Sequence, residues 1–168
     1  MTTVSYETMR LVAAPVAACD IDDVAELLMD PGLYGYIDGK PASIDDARAR
    51  VQRWIEGSPH RETLWINHVA RARDSRELIG VAQATVQLSG QAAVECLLAY
   101  QIAPQRHRQG FGKEMMSAFR SELVRQLAPE SFVAHIAPGH SASERVALSL
   151  GLVVTDREVD GERVWSNV

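Results

Sequence analysis

Apolar positions along the chain follow two repeats, one typical of strands and one typical of helices. Continuous or alternating apolar runs predict strands, whereas apolar residues three or four positions apart predict helices. By these rules, strands are predicted at residues 9–16, 64–72, 78–88, 94–102, 131–137, 152–158 and 163–165. The run at 94–102 is apolar on both faces, which is typical of a strand buried inside a sheet.

Four helices are predicted between these strands. The first has carboxylates early in residues 20–28, at positions 20, 22 and 23, and stops at the Asp-Pro-Gly sequence at 30–32. The second begins at Ser43, a preferred N-cap residue, and ends before Gly57. The third has apolar residues at helical spacing over 115–127. The fourth opens at Ser141, where Glu144 predicts a capping box, and ends at Gly151.

This order of elements predicts an α/β protein. The strands at 64–72, 78–88 and 94–102 follow one another through short turns, so we expect an antiparallel meander. A strand-helix-strand crossover then leads to 131–137, and the last two strands flank Asp160 and Gly161 as a hairpin. We expect residues 1–168 to form a single domain, since a chain of this length buries about 68–70% of its unfolded surface.

Composition and charge narrow the classes of function. A net charge of -5, with 46% hydrophobic and 23% charged residues, is typical of a soluble globular protein and argues against a nucleic-acid partner. The apolar run at 11–19 resembles a lipoprotein cleavage site, but it is too short to span a bilayer and follows the acidic Glu7. Cys19 and Cys96 form no metal-spaced pair, which indicates reduced thiols. We therefore expect a cytoplasmic protein with no membrane partner.

The most informative segment is the turn at 103–114, which joins the buried strand to the third helix. The first amides of a helix are unpaired and lie at the positive end of its dipole, so they can bind an anionic phosphate. Gly110 and Gly112 would remove side chains from the path of that phosphate, and Arg106, Arg108 and Lys113 add local positive charge. The alternative is that the glycines only relieve strain in the turn.

Two segments resemble the GNAT superfamily of acyl-CoA-dependent N-acetyltransferases, and the order of elements agrees over nearly the whole chain. Residues 107–112 resemble the family's Gln/Arg-x-x-Gly-x-Gly/Ala loop, with His107 in the first position. Residues 140–152 resemble Asn-x-x-Ser-x-x-Val-x-x-x-x-Gly-Phe, with His140 for asparagine and Leu152 for phenylalanine. The second signature is best matched in the branch that acetylates ribosomal-protein N-termini and related amines.

The resemblance implies a mixed, mostly antiparallel sheet flanked by helices, with a V-shaped splay between the fourth and fifth strands. Acetyl-CoA would lie in that gap as co-substrate, without a metal, and a homodimer is compatible with the resemblance. The main chain of 108–113 would hold the diphosphate, while 98–102 would bond the pantetheine and polarise the thioester carbonyl. The implied cofactor-binding residues are Leu98, Ala99, Tyr100, Gln101, Ile102, His107, Arg108, Gln109, Gly110, Phe111, Gly112, Lys113, His140 and Ser143.

Three residues are candidates for catalysis. Glu95 is the candidate base, acting directly or through water, because an isolated carboxylate in an apolar strand should have a raised pKa. The family's frequent glutamate would instead fall at Leu97, and an ion-paired or rim-exposed Glu95 is the alternative. Ser143 matches the family's serine and would donate to the CoA sulfur. Tyr100 would replace the tyrosine that relatives carry at the position of Ala147.

The amine acceptor is expected at the loop between the first two helices. Tyr34, Tyr36 and Asp38 could receive an amine through aromatic contact and charge, although ordinary loop packing is the alternative. His135 and His140 lack a third ligand and helical spacing, so no metal site is predicted. The resemblance thus implies direct acetyl transfer from acetyl-CoA to a primary amine, either a protein N-terminus or a small molecule. The alternative function is a non-catalytic CoA or acyl-CoA sensor or interaction protein.

Overall fold

The computed structural model describes residues 5–168. Its strands are β1 (Tyr6–Glu7), β2 (Leu11–Pro15), β3 (Thr63–Ala72), β4 (Leu78–Ser89), β5 (Ala92–Ile102), β6 (Ser131–Ile136), β7 (Val153–Val159) and β8 (Glu162–Ser166). Its helices are α1 (Ile21–Met29), α2 (Ile44–Glu56), α3 (Phe111–Leu127) and α4 (Ser141–Ser149). The predicted strands and helices are therefore confirmed, apart from shifts of at most four residues at their ends, the largest at the start of α3.

The strands form one sheet in the order β1-β2-β3-β4-β5-β6-β8-β7. Neighbouring strands are antiparallel except β5 and β6, which are parallel, so the predicted mixed and mostly antiparallel sheet is confirmed. The short strand β1 was not predicted, because two residues are too few to show a repeat. The splay predicted between the fourth and fifth strands consequently falls between β5 and β6.

The splay begins shortly after β5 and β6 meet. Their ladder contains three pairs, from Glu95 opposite Ser131 to Leu97 opposite Val133. β5 then continues to Ile102 and β6 to Ile136 without further pairing between them. Main-chain groups on the β6 side of residues 98–102 therefore lose the partner strand that would otherwise satisfy them. The predicted V-shaped gap is confirmed.

Helices cover both faces of the sheet. On one face, α3 and α4 pack over a core that includes Cys96, Leu98 and Ile102 of β5. On the other face, α1 and α2 pack over Val69 and Val81. Side chains alternate along a strand, and paired residues share a face. Since Val81 pairs with Gln101, the odd-numbered side chains of β5 from 95 to 101 lie on the face of α1 and α2.

Two predicted helix caps have different outcomes. The Ser43 side chain accepts a hydrogen bond from the Asp46 amide at 3.1 Å, which confirms Ser43 as the N-cap of α2. The capping box predicted for Ser141 and Glu144 is wrong, because His140 is the N-cap of α4 and no side chain caps that helix. Ser141 already lies inside the first turn, where its hydroxyl is past the capping position.

Candidate active site

The start of α3 presents free main-chain donors beside the splay. Gly110 is the N-cap, with a φ of 81° that favours glycine, and no side chain caps the helix. Within residues 5–168, the amides of Phe111, Gly112 and Lys113 donate to no main-chain carbonyl. The first intrahelical bond runs from the Glu114 amide to the Gly110 carbonyl at 3.1 Å. These donors and the helix dipole make this end of α3 suitable for an anion.

An arginine near the N-terminus anchors this helix start. The Arg10 Nε donates to Glu114 Oε2 at 2.6 Å, and Arg10 Nη1 donates to the Gln109 carbonyl at 3.0 Å. The guanidinium also lies 4.1 Å from the centroid of the Phe111 ring. Burial acts to raise the pKa of Glu114, but hydrogen bonds from Thr8 and Arg10 hold it below its usual value. Sequence analysis missed this anchor, since no local pattern connects residues 104 positions apart.

The cations of the loop are not equivalent. Arg106 forms a two-pronged pair with Glu77, so its charge is already compensated. Arg108 and Lys113 are exposed and make no salt bridge within the described part of the chain. The His107 Nε2 lies 2.8 Å from the Ile102 carbonyl and ties the loop to the end of β5. Arg108 and Lys113 are thus the loop side chains available to an anion.

Gly112 allows α3 to approach its neighbours closely. A Cβ at this position would lie 3.3 Å from Tyr100 Cε2 and 3.6 Å from Val146 Cγ2. Gly112 therefore also serves the close packing of α3 against β5 and α4, while its predicted role in clearing the path of a phosphate stays a prediction. Its amide nevertheless remains among the unpaired donors at the helix start.

Three polar side chains form a line beside the gap. The Tyr100 hydroxyl lies 3.3 Å from Ser143 Oγ, and Ser143 Oγ lies 3.4 Å from His140 Nε2. Both contacts are long, as catalytic hydrogen bonds often are before a substrate binds. Burial raises the pKa of Tyr100 despite its hydrogen bond to Ser143, so the phenol stays protonated near neutral pH. The structure thus brings together Tyr100, Ser143 and His140, which sequence analysis named separately.

Tyr36 is the predicted acceptor-binding residue that contacts the line formed by Tyr100, Ser143 and His140. The Tyr36 ring stacks on His140, with 4.3 Å between ring centroids and 6° between the planes. Tyr36 comes from the α1–α2 loop and His140 from the β6–α4 connection, so this stack joins the two sides of the splay. The Tyr34 hydroxyl instead donates to the Leu28 carbonyl at 2.8 Å, and Asp38 is exposed on the loop.

Comparison with known proteins identifies the family. Residues 10–153 match the family model described as "Acetyltransferase (GNAT) domain". The chain belongs to the GNAT acetyltransferases. It is therefore a member of an acetyl-CoA-dependent enzyme family, and the resemblance read from its loop and its α4 signature is confirmed.

Solved structures share this GNAT fold over almost the full chain. Ribosomal-protein-S5-alanine acetyltransferase from Vibrio fischeri has a TM-score of 0.79 at 13% identity, covering 98% of this chain and 96% of that one. A GNAT-family acetyltransferase from Bacillus anthracis has 0.76 at 15%, covering 97% and 96%. RimL, a ribosomal L7/L12 alpha-N-protein acetyltransferase solved with coenzyme A, has 0.73 at 13%, covering 96% and 95%. No curated protein sequence matches the chain.

Within this GNAT fold, Glu95 lies apart from the three aligned side chains. It sits where β5 and β6 still pair, opposite Ser131, and it faces α1 and α2. Tyr100 faces α3 and α4. The last β5–β6 pair is at Leu97, and Ala99 is the first residue after it whose side chain lies on the same face as that of Glu95. The four residues of strand between Glu95 and Ala99 span about 13 Å.

The thiol of Cys96, the next residue in β5, also lies away from the gap. Cys96 is fully buried under α3, and burial raises its pKa to about 12, with Glu95 adding to the shift. It therefore stays a thiol at neutral pH and is unsuited to attack a thioester.

Two further structural observations concern the described residues of this GNAT domain. Residues 5–168 contain no group of three or more histidine, cysteine, aspartate or glutamate side chains placed to hold a metal ion. None of the helices in that range is both long enough and apolar enough to cross a membrane.

Proposed function

We propose that the protein transfers the acetyl group of acetyl-CoA directly to a primary amine within a ternary complex. The amine would belong to a protein N-terminus or to a small molecule. The observation that carries this proposal is the uncapped start of α3 beside the aligned hydroxyls of Tyr100 and Ser143. This arrangement supports the proposal, because a site for the diphosphate and a site that protonates the thiolate would then lie at the same gap.

Two sets of main-chain groups would hold the cofactor. The amides at the start of α3 would bind the diphosphate, with Arg108 and Lys113 adding charge attraction. The unpaired edge of β5 at 98–102 would bond the amides of the pantetheine, much as an added strand would. A donor from this edge would also polarise the thioester carbonyl. The structure of RimL with coenzyme A supports this placement, since that protein shares the fold.

The acceptor would enter from the face covered by α1 and α2. Tyr36 is 53% exposed and stands at the edge of the gap, where its ring can contact an incoming amine. Asp38 on the same loop would attract the charged form of the amine, and Tyr34 would support the loop through its bond to α1. Glu95 can serve as base on this face only through intervening water, because it lies about 13 Å along β5 from Ala99.

The decisive test measures release of free CoA thiol from acetyl-CoA with a panel of amines and N-terminal peptides. Release with at least one acceptor, at a rate that depends on acceptor concentration, supports transfer. Coenzyme A binding by calorimetry with no release for any acceptor would instead favour the sensor function. Absence of both binding and release would contradict the proposed cofactor site as a whole.

The cations of the loop provide a prediction about cofactor affinity. Arg108→Gln and Lys113→Gln should each weaken coenzyme A binding about fivefold, since one charge-assisted phosphate contact contributes about 1 kcal/mol. Arg106→Gln is the matched control, because Glu77 already occupies that guanidinium. Isothermal titration calorimetry measures all three affinities. A larger loss for Arg106→Gln than for the other two would contradict the assignment.

A further inference from the structure

His140 is the end of the polar line that faces the acceptor loop. We propose that His140 accepts the proton that the attacking amine loses, and that Ser143 and Tyr100 deliver a proton to the leaving sulfur. This inference rests on the proposed function and adds the identity of its base. It gives one continuous path between the two places where protons move during transfer.

The members of the path lie on both sides of the splay. Tyr100 belongs to β5, on one side of the splay, while Ser143 and His140 belong to the start of α4, on the other. Tyr36, on the acceptor side, covers the His140 ring. The path therefore runs from the acceptor loop, across the gap, to the strand whose unpaired edge would hold the thioester.

The imidazole of His140 has one nitrogen on the path and one nitrogen free. The His140 Nε2 is the nitrogen that contacts Ser143 Oγ, at 3.4 Å. Its Nδ1 has no hydrogen-bond partner within residues 5–168. A neutral imidazole carries one N–H and one lone pair, so the tautomer with hydrogen on Nε2 donates to Ser143 and leaves Nδ1 free to accept.

The surroundings of His140 determine its charge state. Burial beneath Tyr36 lowers the pKa of His140 below its usual value of 6.5; the carboxylate of Glu144 acts in the opposite direction, and His107 adds to the lowering. Tyr36 stacks on the ring and Ser143 contacts Nε2, and neither side chain carries a carboxylate or a cationic group. His140 is therefore neutral at pH 7 and has a lone pair available.

The proton transfers balance without any further reactant. The lone pair of the neutral amine attacks the thioester carbon, and the C–S bond breaks with its electron pair on sulfur. The amine proton moves to Nδ1, the Nε2 proton to Ser143 Oγ, the Ser143 proton to the Tyr100 oxygen, and the Tyr100 proton to sulfur. The products are the acetamide and free CoA thiol, and His140 is left with its hydrogen on Nδ1. Release of that proton to water and uptake of one proton from water at Nε2 restore the starting tautomer.

The position of Glu95 favours His140 for this role. Glu95 and Tyr100 project from opposite faces of β5, so no side-chain path within the described residues connects them. Glu95 also lies at the closed end of the gap, where Ser131 is its strand partner. A proton taken by Glu95 would have to return to sulfur through bulk water.

The test compares the pH dependence of kcat/KM for the wild type and His140→Asn. Asparagine can still donate to Ser143 but cannot take up a proton in this range. We expect the wild-type kcat/KM to show an acid inflection below pH 6.5, and the variant to lack it and to be about 100-fold slower at pH 7. Coenzyme A affinity, measured by calorimetry in parallel, separates the loss of any cofactor contact at His140 from the loss of proton transfer.

A matched pair at Tyr36 separates proton transfer from a structural role. Tyr36→Phe keeps the stacked ring and should keep the inflection at the wild-type pH, whereas Tyr36→Ala should move it up towards 6.5. NMR titration of His140 in the cofactor-free protein should show the same shift without any turnover. Glu95→Gln should leave the inflection in place.

The outcomes distinguish the two proposals. An acid inflection retained in His140→Asn, or removed by Glu95→Gln, would overturn the role of His140 while leaving acetyl transfer intact. No thiol release by the wild type with any acceptor would overturn the proposed function and the relay together.

Discussion

Acidification from pH 7 to pH 4.5 should lower the free energy of unfolding of the wild type. In His68→Phe this decrease should be smaller by about 2.5 kcal/mol. His68 is 1% exposed and projects from β3 into the core beneath α3. Its ring lies 5.5 Å from the Tyr6 ring and 5.2 Å from the Phe119 ring, measured between centroids. Neither ring nitrogen has a hydrogen-bond partner in the described residues.

The physical cause is the cost of placing a charged imidazole among aromatic rings. Burial lowers the pKa of His68 to about 4 from its usual 6.5, although Glu122 acts in the opposite direction. In the unfolded chain His68 takes up a proton below pH 6.5, whereas in the folded protein it does so only near pH 4. The folded state therefore loses stability as the pH falls between these two values.

Carboxylates affect a lower range of pH. Hydrogen bonds from Arg125 and Gln126 lower the pKa of Glu122 to about 2 from its usual 4.5, so its contribution is lost below pH 4.5. The pKa of His140 is also lowered, but its contribution is common to wild type and variant and cancels between them. The window from pH 6.5 to 4.5 therefore isolates His68.

Urea unfolding at several pH values measures the effect. The wild type and His68→Phe should differ in slope against pH within this window, whatever their difference at pH 7. His60→Gln, on the exposed turn before β3, is the control and should follow the wild type. Equal slopes for wild type and His68→Phe would show that His68 is accessible to protons in the folded state.

Sequence patterns predicted those features that depend on residues a few positions apart. The spacing of apolar residues identified β2 to β8 and all four helices within residues 5–168. The Ser43 cap follows the same principle, since its bond spans three residues. The strand-helix-strand crossover followed from the order of the predicted elements. The gap came from resemblance to a family, because the point at which two strands stop pairing is not a local property.

Contacts between distant residues are what the sequence could not reveal. Arg10 meets Glu114, and Tyr36 stacks on His140, only because the sheet and the splay bring those segments together. The position of Glu95 relative to the gap was also not predictable from the sequence. Its spacing from the start of the loop was known, but whether it lay inside the gap depended on where β6 stops pairing with β5.

Gly80→Ala should lower the free energy of unfolding by about 3 kcal/mol, the second large effect that we expect. Gly80 lies in β4 opposite Ile102 of β5. A Cβ at this position would fall well inside van der Waals contact with the Gln101 carbonyl oxygen and 3.0 Å from Ile102 Cδ1. The clash is with main chain held in a ladder, so no side-chain rotation can relieve it.

Gly35→Ala is the matched control, since a Cβ there meets no atom within 4 Å and the loop is exposed. It should change stability by less than about 0.5 kcal/mol in the same urea titration.

Gly80→Ala can relieve its clash only by moving the end of β5 away from β4, towards the gap. We therefore expect weaker coenzyme A binding at temperatures where the variant is still folded. If Gly80→Ala has the same free energy of unfolding and the same coenzyme A affinity as the wild type, this end of β5 adjusts freely. That result would contradict its proposed role as a fixed edge that holds the pantetheine.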